Sequence, residues 1–457
     1  MIGNRMHLTR YFAEINHTDR RALSAKLDSV LLYGTFAVLM FGPVAFGAVE
    51  PWSILVVQLG ATLLTLLWLG KQWVDGEINI RWNPLYLPMG AFALLILAQL
   101  VLQRSAYAHD TISQAMLYCA YAMLCFLSGQ SLVRGSQAKK LAFIFVVYGA
   151  AIAAQALLQG VSSNGKLYWV RQPRLGGWIY GPYVNHNHYA GLMELLVPIP
   201  LVFSLTRLAE SRERLVAGVA AAVMTGTIFL SGSRGGMLAI VVELIILGTL
   251  LIRQRKGVRI AIAAGTFILV LGTLLTWLGG KELTQRVSTI SSETRTEISG
   301  GMRLSIDRDA IRMFRMKPIL GWGLGSFPVV YPQFRSFYTN FFVNEAHNDY
   351  LQLLAEMGLL GFCTMIWFLV LIYRSAIPKL SKWIDDIGGA VTLVCVLGLT
   401  GILIHSFVDF NLQIPGNAAL FYVFCTVAAA QPMMQPSRRR RPVQSPAQDV
   451  LPTSEVV

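Results

Sequence analysis

Apolar stretches long enough to cross a bilayer recur twelve times along the chain, at roughly 27–49, 51–70, 84–103, 112–132, 141–161, 189–206, 215–231, 235–252, 260–279, 350–373, 387–405 and 418–434. In a helix, about 20 such residues cover the ~30 Å of hydrocarbon, where every backbone amide must find its partner inside the structure. The runs predict an all-α polytopic membrane protein with about 12 transmembrane helices. Only 14% of the residues are charged, against about 25% in soluble domains. That excludes a disordered chain, a coiled coil and an ordinary soluble enzyme. The five cysteines all lie inside apolar runs, with no spacing that suits a disulfide framework or zinc.

Residues 1–26 are polar and lack the short apolar core of a removable signal peptide, so the first span is expected to serve as the signal. With this segment in the cytoplasm, the inner segments hold 24 lysines and arginines and the short outer loops hold five: Arg104, Lys166, Arg171, Arg174 and Arg234. The other nine fall in one long outer loop, and long loops are exempt from the positive-inside rule. The expected plan is a cytoplasmic segment over 1–26 and helices 1–9 over 27–279. A long, partly helical periplasmic loop follows over 280–349, then helices 10–12 over 350–434 and a disordered cytoplasmic tail over 435–457. The net charge is +14, but no basic stretch is long enough for a nucleic-acid arm. The surplus suits membrane lipids as partners instead.

On this topology the unusual polar residues gather on the outer face. The loop at 162–188 carries Lys166, Arg171 and Arg174, then Asn185, His186, Asn187 and His188 at the entrance of span six. Asn185 and His186 fit a helix cap as well as a ligand, and histidines two apart do not share a helical face. SGSRGG, at 231–236, makes a tight turn holding Arg234. A guanidinium at the hydrocarbon edge calls for an anion or for snorkelling to headgroups. In the long loop, RLSIDRDAIRMFRM (303–316) reads as a helix with Leu304, Ile311 and Met313 among its apolar residues. Arg308, Arg312 and Arg315 fall on one side of it, either toward phosphates or simply solvated beside Asp307 and Asp309. GWGLGSF (321–327) has alternate glycines that favour a close-packed, mobile loop. His347 sits between Glu345 and Asp349 at the mouth of span ten, placed as a general base or as a cap. His405 and Asp409 are one helical turn apart, spaced either to pair or simply to hold the wall of the outer cavity.

Arginines, a histidine and glycine turns at headgroup depth suit a substrate with an apolar tail and a phosphate-rich head. Without ATP outside the membrane, the reaction must use a bond already activated, and a sugar linked through diphosphate to a polyprenol supplies one. Arginines would meet the leaving diphosphate and a histidine would take the acceptor's proton. SRGGM (233–237), the stretch from Arg303 through GWGLGSF to HNDYLQLLAEMGLLG (347–361), HSFVDFNLQIPGN (405–417) and RLGGWIYGPYVNHNHYAG (174–191) together resemble the bacterial O-antigen ligase/polymerase superfamily. The resemblance covers roughly residues 170–420, and His186 stands where that pattern usually has proline.

The resemblance implies an inner-membrane, inverting glycosyltransferase that needs no metal or other cofactor and takes an undecaprenyl-diphosphate-linked glycan as donor. It passes the glycan to lipid A-core, as in ligation, or to another lipid-linked glycan, as in polymerisation. By it, His347 matches the essential periplasmic histidine, Arg234 and Arg174 match the phosphate-contacting arginines, and Arg308 and Arg303 are further candidates. Asn187, Asp349, His405 and Asp409 are expected to support the site. The rival from another class is a transporter or flippase of an anionic solute. Against it, the main in-span acids, Glu194, Glu243 and Glu356, are scattered along the sequence.

Overall fold

A computed structural model describes residues 2–173, 177–253, 300–339 and 342–433. Eleven of the twelve apolar runs are helices: α1 (Ile2–Val44), α2 (Pro51–Asp75), α3 (Tyr86–Val101), α4 (Ala108–Ser131), α5 (Gly135–Val161), the pair α6 (His186–Leu196) and α7 (Pro198–Leu205), α8 (Ser211–Ser231) and α9 (Arg234–Arg253), then, beyond the long-loop helix α10 (Gly300–Met316), α11 (Asp349–Ala376), α12 (Ile387–His405) and α13 (Pro415–Ala429). The run at 260–279 and the tail at 435–457 lie outside the described residues. Among the described residues nine helical spans are long and apolar enough to cross a membrane, and Tyr86–Val101 and Pro415–Ala429 are shorter apolar helices. No strand forms among them; Leu167 and Arg171, and Tyr180 and Tyr183, make isolated bridges only. The chain is an all-α polytopic membrane protein.

The outer helices show why water is the wrong solvent. Leu55, Leu59, Leu63 and Leu66 on α2 all point outward, an apolar stripe at helical spacing that hydrocarbon accepts. The centre is built differently. α6 and α7 are buried along nearly their whole length, with α12 lying against α6, α9 and α13, and α13 against α1, α4 and α11. Span six is broken because Pro198 has no N–H to return to the Glu194 carbonyl. Gly398 of α12 faces that carbonyl, where a Cβ would come within 3.1 Å.

Helix α10 docks on α11. Its buried apolar residues are Ile306, Ala310 and Met313, which pack with Phe327, Tyr331, Val343 and Ala346. Leu304, expected on the apolar side, is half exposed, because the i, i+4, i+7 set of 306, 310 and 313 fits the groove better. The GWGLGSF loop is close-packed as expected, but it is clamped rather than loose. Trp322 and Gly323 donate to the Ala355 and Glu356 carbonyls at 3.0 and 2.9 Å. Gly325 and Phe327 donate to the Glu356 carboxylate at 2.9 and 3.0 Å.

Candidate functional site

The segment joining α12 to α13 places Asp409, with no solvent exposure, among three basic groups. His188 Nε2 lies 3.7 Å from Oδ1, His347 Nδ1 lies 3.9 Å from Oδ1, and Arg303 Nη2 lies 3.9 Å from Oδ2. These are ion-pair distances, longer than hydrogen bonds. The Phe410 amide donates to Oδ1 at 2.8 Å, fixing the carboxylate. The Phe410 ring stands between the two imidazoles, 4.7 Å from each in edge-on geometry. Burial works against ionisation of Asp409, yet His188 first, then Arg303 and His347, hold its carboxyl well below the usual range.

His347 is held from both sides. Its φ of 56° is in the left-handed region, which a non-glycine residue adopts at a cost that its surroundings must cover. On one side the Ala346 amide donates to Gln352 Oε1 at 2.9 Å. On the other, Asn348 caps α11 by accepting from the Tyr350 and Leu351 amides, and the Asp349 amide donates to the Ser406 carbonyl at 3.0 Å. The carboxylates next to His347 in sequence are engaged elsewhere. Glu345 accepts a hydrogen bond from Gln352. Asp349 accepts from Ser406 at 2.8 Å, and from Leu412 and Gln413. Asp409, from a different segment, is the acid that faces the ring.

Arg303 reaches the same place from α10, donating to the Val408 carbonyl at 2.8 Å. Arg234 opens α9 beyond the left-handed Gly232 and is exposed. Behind it, Gly235 and Gly236 allow a backbone approach that side chains would prevent. A Cβ on Gly235 would sit 2.6 Å from His405 Nε2 and 3.0 Å from Val408 Cγ2, and one on Gly236 would sit 2.7 Å from Ala190 Cβ. Arg303 therefore borders Val408 through its guanidinium, and the α9 backbone at Gly235, next to Arg234 in sequence, closes on the same residue. Arg308 is exposed on α10, facing away from that groove with Arg312 and Arg315, and Arg312 pairs with Asp309 at 3.2 Å. Arg174 lies outside the described residues.

The His405–Asp409 side-chain pairing that the spacing allowed is replaced. His405 Nδ1 meets Glu194 Oε1 of α6 at 2.7 Å, while the Asp409 amide donates to the His405 carbonyl at 3.1 Å. The helix ends there, so the two side chains diverge to partners on other elements. Asn185 caps α6 by accepting from the Asn187 amide at 2.8 Å. His186 packs on Trp178 at 4.5 Å, and Asn187 is buried in the first turn. His188, which its neighbours in sequence gave no reason to single out, is the one that reaches Asp409. Its signal was weak: a third polar residue on a helix start looks like capping until the facing loop is known.

A cluster of one guanidinium, two imidazoles and one buried counter-charge, with exposed Arg234 at the start of the neighbouring helix, can bind an anionic group while offering an imidazole for proton transfer. Among the described residues, no group of three or more His, Cys, Asp or Glu side chains is arranged to hold a metal ion. No curated protein matches the chain. Residues 219–366, which include Arg234, Arg303 and His347, match the family model described as O-Antigen ligase, and this match supports placing the chain in the O-antigen ligase/polymerase superfamily.

Proposed function

We propose that this protein is a membrane glycosyltransferase that moves a glycan from undecaprenyl diphosphate to an acceptor hydroxyl at the periplasmic face of the inner membrane. Lysine and arginine bias, 24 inner against five in short outer loops, supports cytoplasmic termini and an outward-facing site. The observation that carries the reading is the meeting of Arg303 and His347, both in the matched segment, with His188 around Asp409.

In the proposed reaction the acceptor oxygen attacks the anomeric carbon as its proton passes to the His347 imidazole. The carbon–diphosphate bond breaks, and the electron pair leaves with the diphosphate. Attack opposite the leaving group inverts the anomeric centre. Arg234, Arg303 and Arg174 meet the developing charge, each charge-assisted contact contributing about 1.5–3 kcal/mol. Arg308, exposed on α10, serves the approach of the anionic head. Asp409 positions His347 and balances the arginines, and Asn187, Asp349 and His405 hold the elements that carry them. Guanidinium groups take the place of a divalent cation, so transfer by purified protein persists in chelator; a requirement for added magnesium or manganese overturns that part.

Ligation to lipid A-core is our preferred assignment, with repeat polymerisation as the alternative sharing the same donor chemistry. Deletion in the native host, followed by profiling of lipopolysaccharide and carrier-linked glycan, separates them. Long glycans left on the carrier mark a ligase; single-repeat products mark a polymerase; an unchanged glycan profile refutes the glycosyltransferase reading.

A further inference from the structure

A cavity of about 330 Å³ runs between α3, α4, α11 and α13, on the other side of the 403–413 segment from the arginines. Its lining on α11 runs from Asp349 to Leu369, past the kink at Gly358. A cavity lined along most of one membrane-spanning helix is elongated, a shape that suits a chain. Its walls are mainly apolar and aromatic, Phe92, Tyr118 and Phe368 among them. Ala93 and Cys119, in mid-helix on α3 and α4, line it and are also exposed, so the channel opens sideways toward lipid.

Its charge selects the occupant. No Lys, Arg or His lines it among the described residues, and both of its ionisable acids, Asp349 and Glu356, are buried. A diphosphate drawn to this end would meet no cation among the lining residues, whereas Arg303 and the two histidines lie across the 403–413 segment. Leu403, Leu412 and Gln413 face the channel, while Val408 and Asp409 of the same segment face Arg303. We propose that this channel seats a hydrocarbon chain of a lipid-anchored acceptor, whose hydroxyl-bearing head reaches His347 from the side opposite the donor's diphosphate. The inference rests on the glycosyl-transfer reading and adds to it a second lipid subsite.

Two photoreactive probes test this on the purified full chain: an uncharged hexadecyl glycoside and a polyprenyl diphosphate, each with a diazirine in its tail. The glycoside is expected to label α3 and α4 saturably, and Ala122→Trp, which fills the channel from α4, to lower that labelling at least about fivefold. The diphosphate probe is expected to label elsewhere, unchanged by the substitution. Labelling of the channel by the diphosphate probe, or by neither probe, overturns the proposal. If Ala122→Trp does not fold, alkylation of Cys119 in Cys363→Ser protein gives the same answer: the glycoside protects the thiol and the diphosphate does not, and any other pattern sinks it. Neither readout needs transfer, so a chain that binds as described but moves no glycan refutes the proposed function alone.

Discussion

The two faces of the 403–413 segment carry opposite chemistry. Toward α9 and α10, Asp409 is surrounded by Arg303, His188 and His347, and its charge is answered. Toward α3 and α11, Asp349 and Glu356 stand in an apolar wall with no basic side chain lining the cavity. Both faces bury carboxylates, but they stabilise them by different means. Asp409 relies on opposite charge. Asp349 and Glu356 rely on hydrogen bonds from Ser406, Gln413 and the amides of the glycine loop. The difference teaches that burial alone does not define a binding face; the sign of the surrounding charge does.

The comparison breaks first at His347. His347→Ala is expected to lower glycan transfer about 10²–10⁴-fold with the protein still inserted and folded, measured by in vitro transfer beside a thermal melt. Wild-type transfer by this variant removes the general base.

Asp409→Asn tests the counter-charge. Arg303, a quarter exposed, then loses the buried charge that faces it, so the melting temperature in detergent is expected to fall. An unchanged melt shows that the basic face does not depend on this acid.

Arg303→Ala is expected to raise KM for the diphosphate donor about 10–100-fold, the size of one or two lost charge-assisted contacts. Arg303→Lys should recover part of it if charge rather than the bidentate fork matters. An effect on the acceptor instead would mean that the two faces are assigned the wrong way round.

A further test lies on the acidic side. Burial pushes the Glu345 carboxyl up to about 8, with Glu356 and Asp349 adding repulsion against the hydrogen bond from Gln352. The folded chain thus keeps a proton that the unfolded chain loses above about pH 4.3, and stability falls as pH rises from there toward 8. Glu345→Gln removes this dependence, so its melting temperature should gain on the wild type across that window. Parallel curves would show that the acid is solvated.

Helix positions were legible because hydrocarbon enforces them: a helix that satisfies its own amides is a strictly local solution, and 20-residue runs state it. Arg234 in its glycine turn and His347 at a helix mouth were legible as residue types out of place. Which groups face one another was not. The readings that Asp349 and Glu345 flank the histidine, and that His405 is spaced to pair with Asp409, followed sequence neighbours. The long-range approach of α6, α10 and the 405–410 segment redirected Asp349, His405 and Asp409, while Glu345 turned to Gln352, seven residues on. Glu194 looked like a scattered in-span acid, yet it lies 2.7 Å from His405, 211 positions away.

The sequence by itself determined the solvent, the helices and the stock of charged groups, since each follows from local hydropathy and counting. Only the tertiary structure decided that His188 and His347 share one carboxylate, that Arg303 reaches Val408 from another helix, and that a channel with no cation among its described lining residues backs onto them. Those are contacts between segments, and their energy depends on distances and burial that no local pattern encodes.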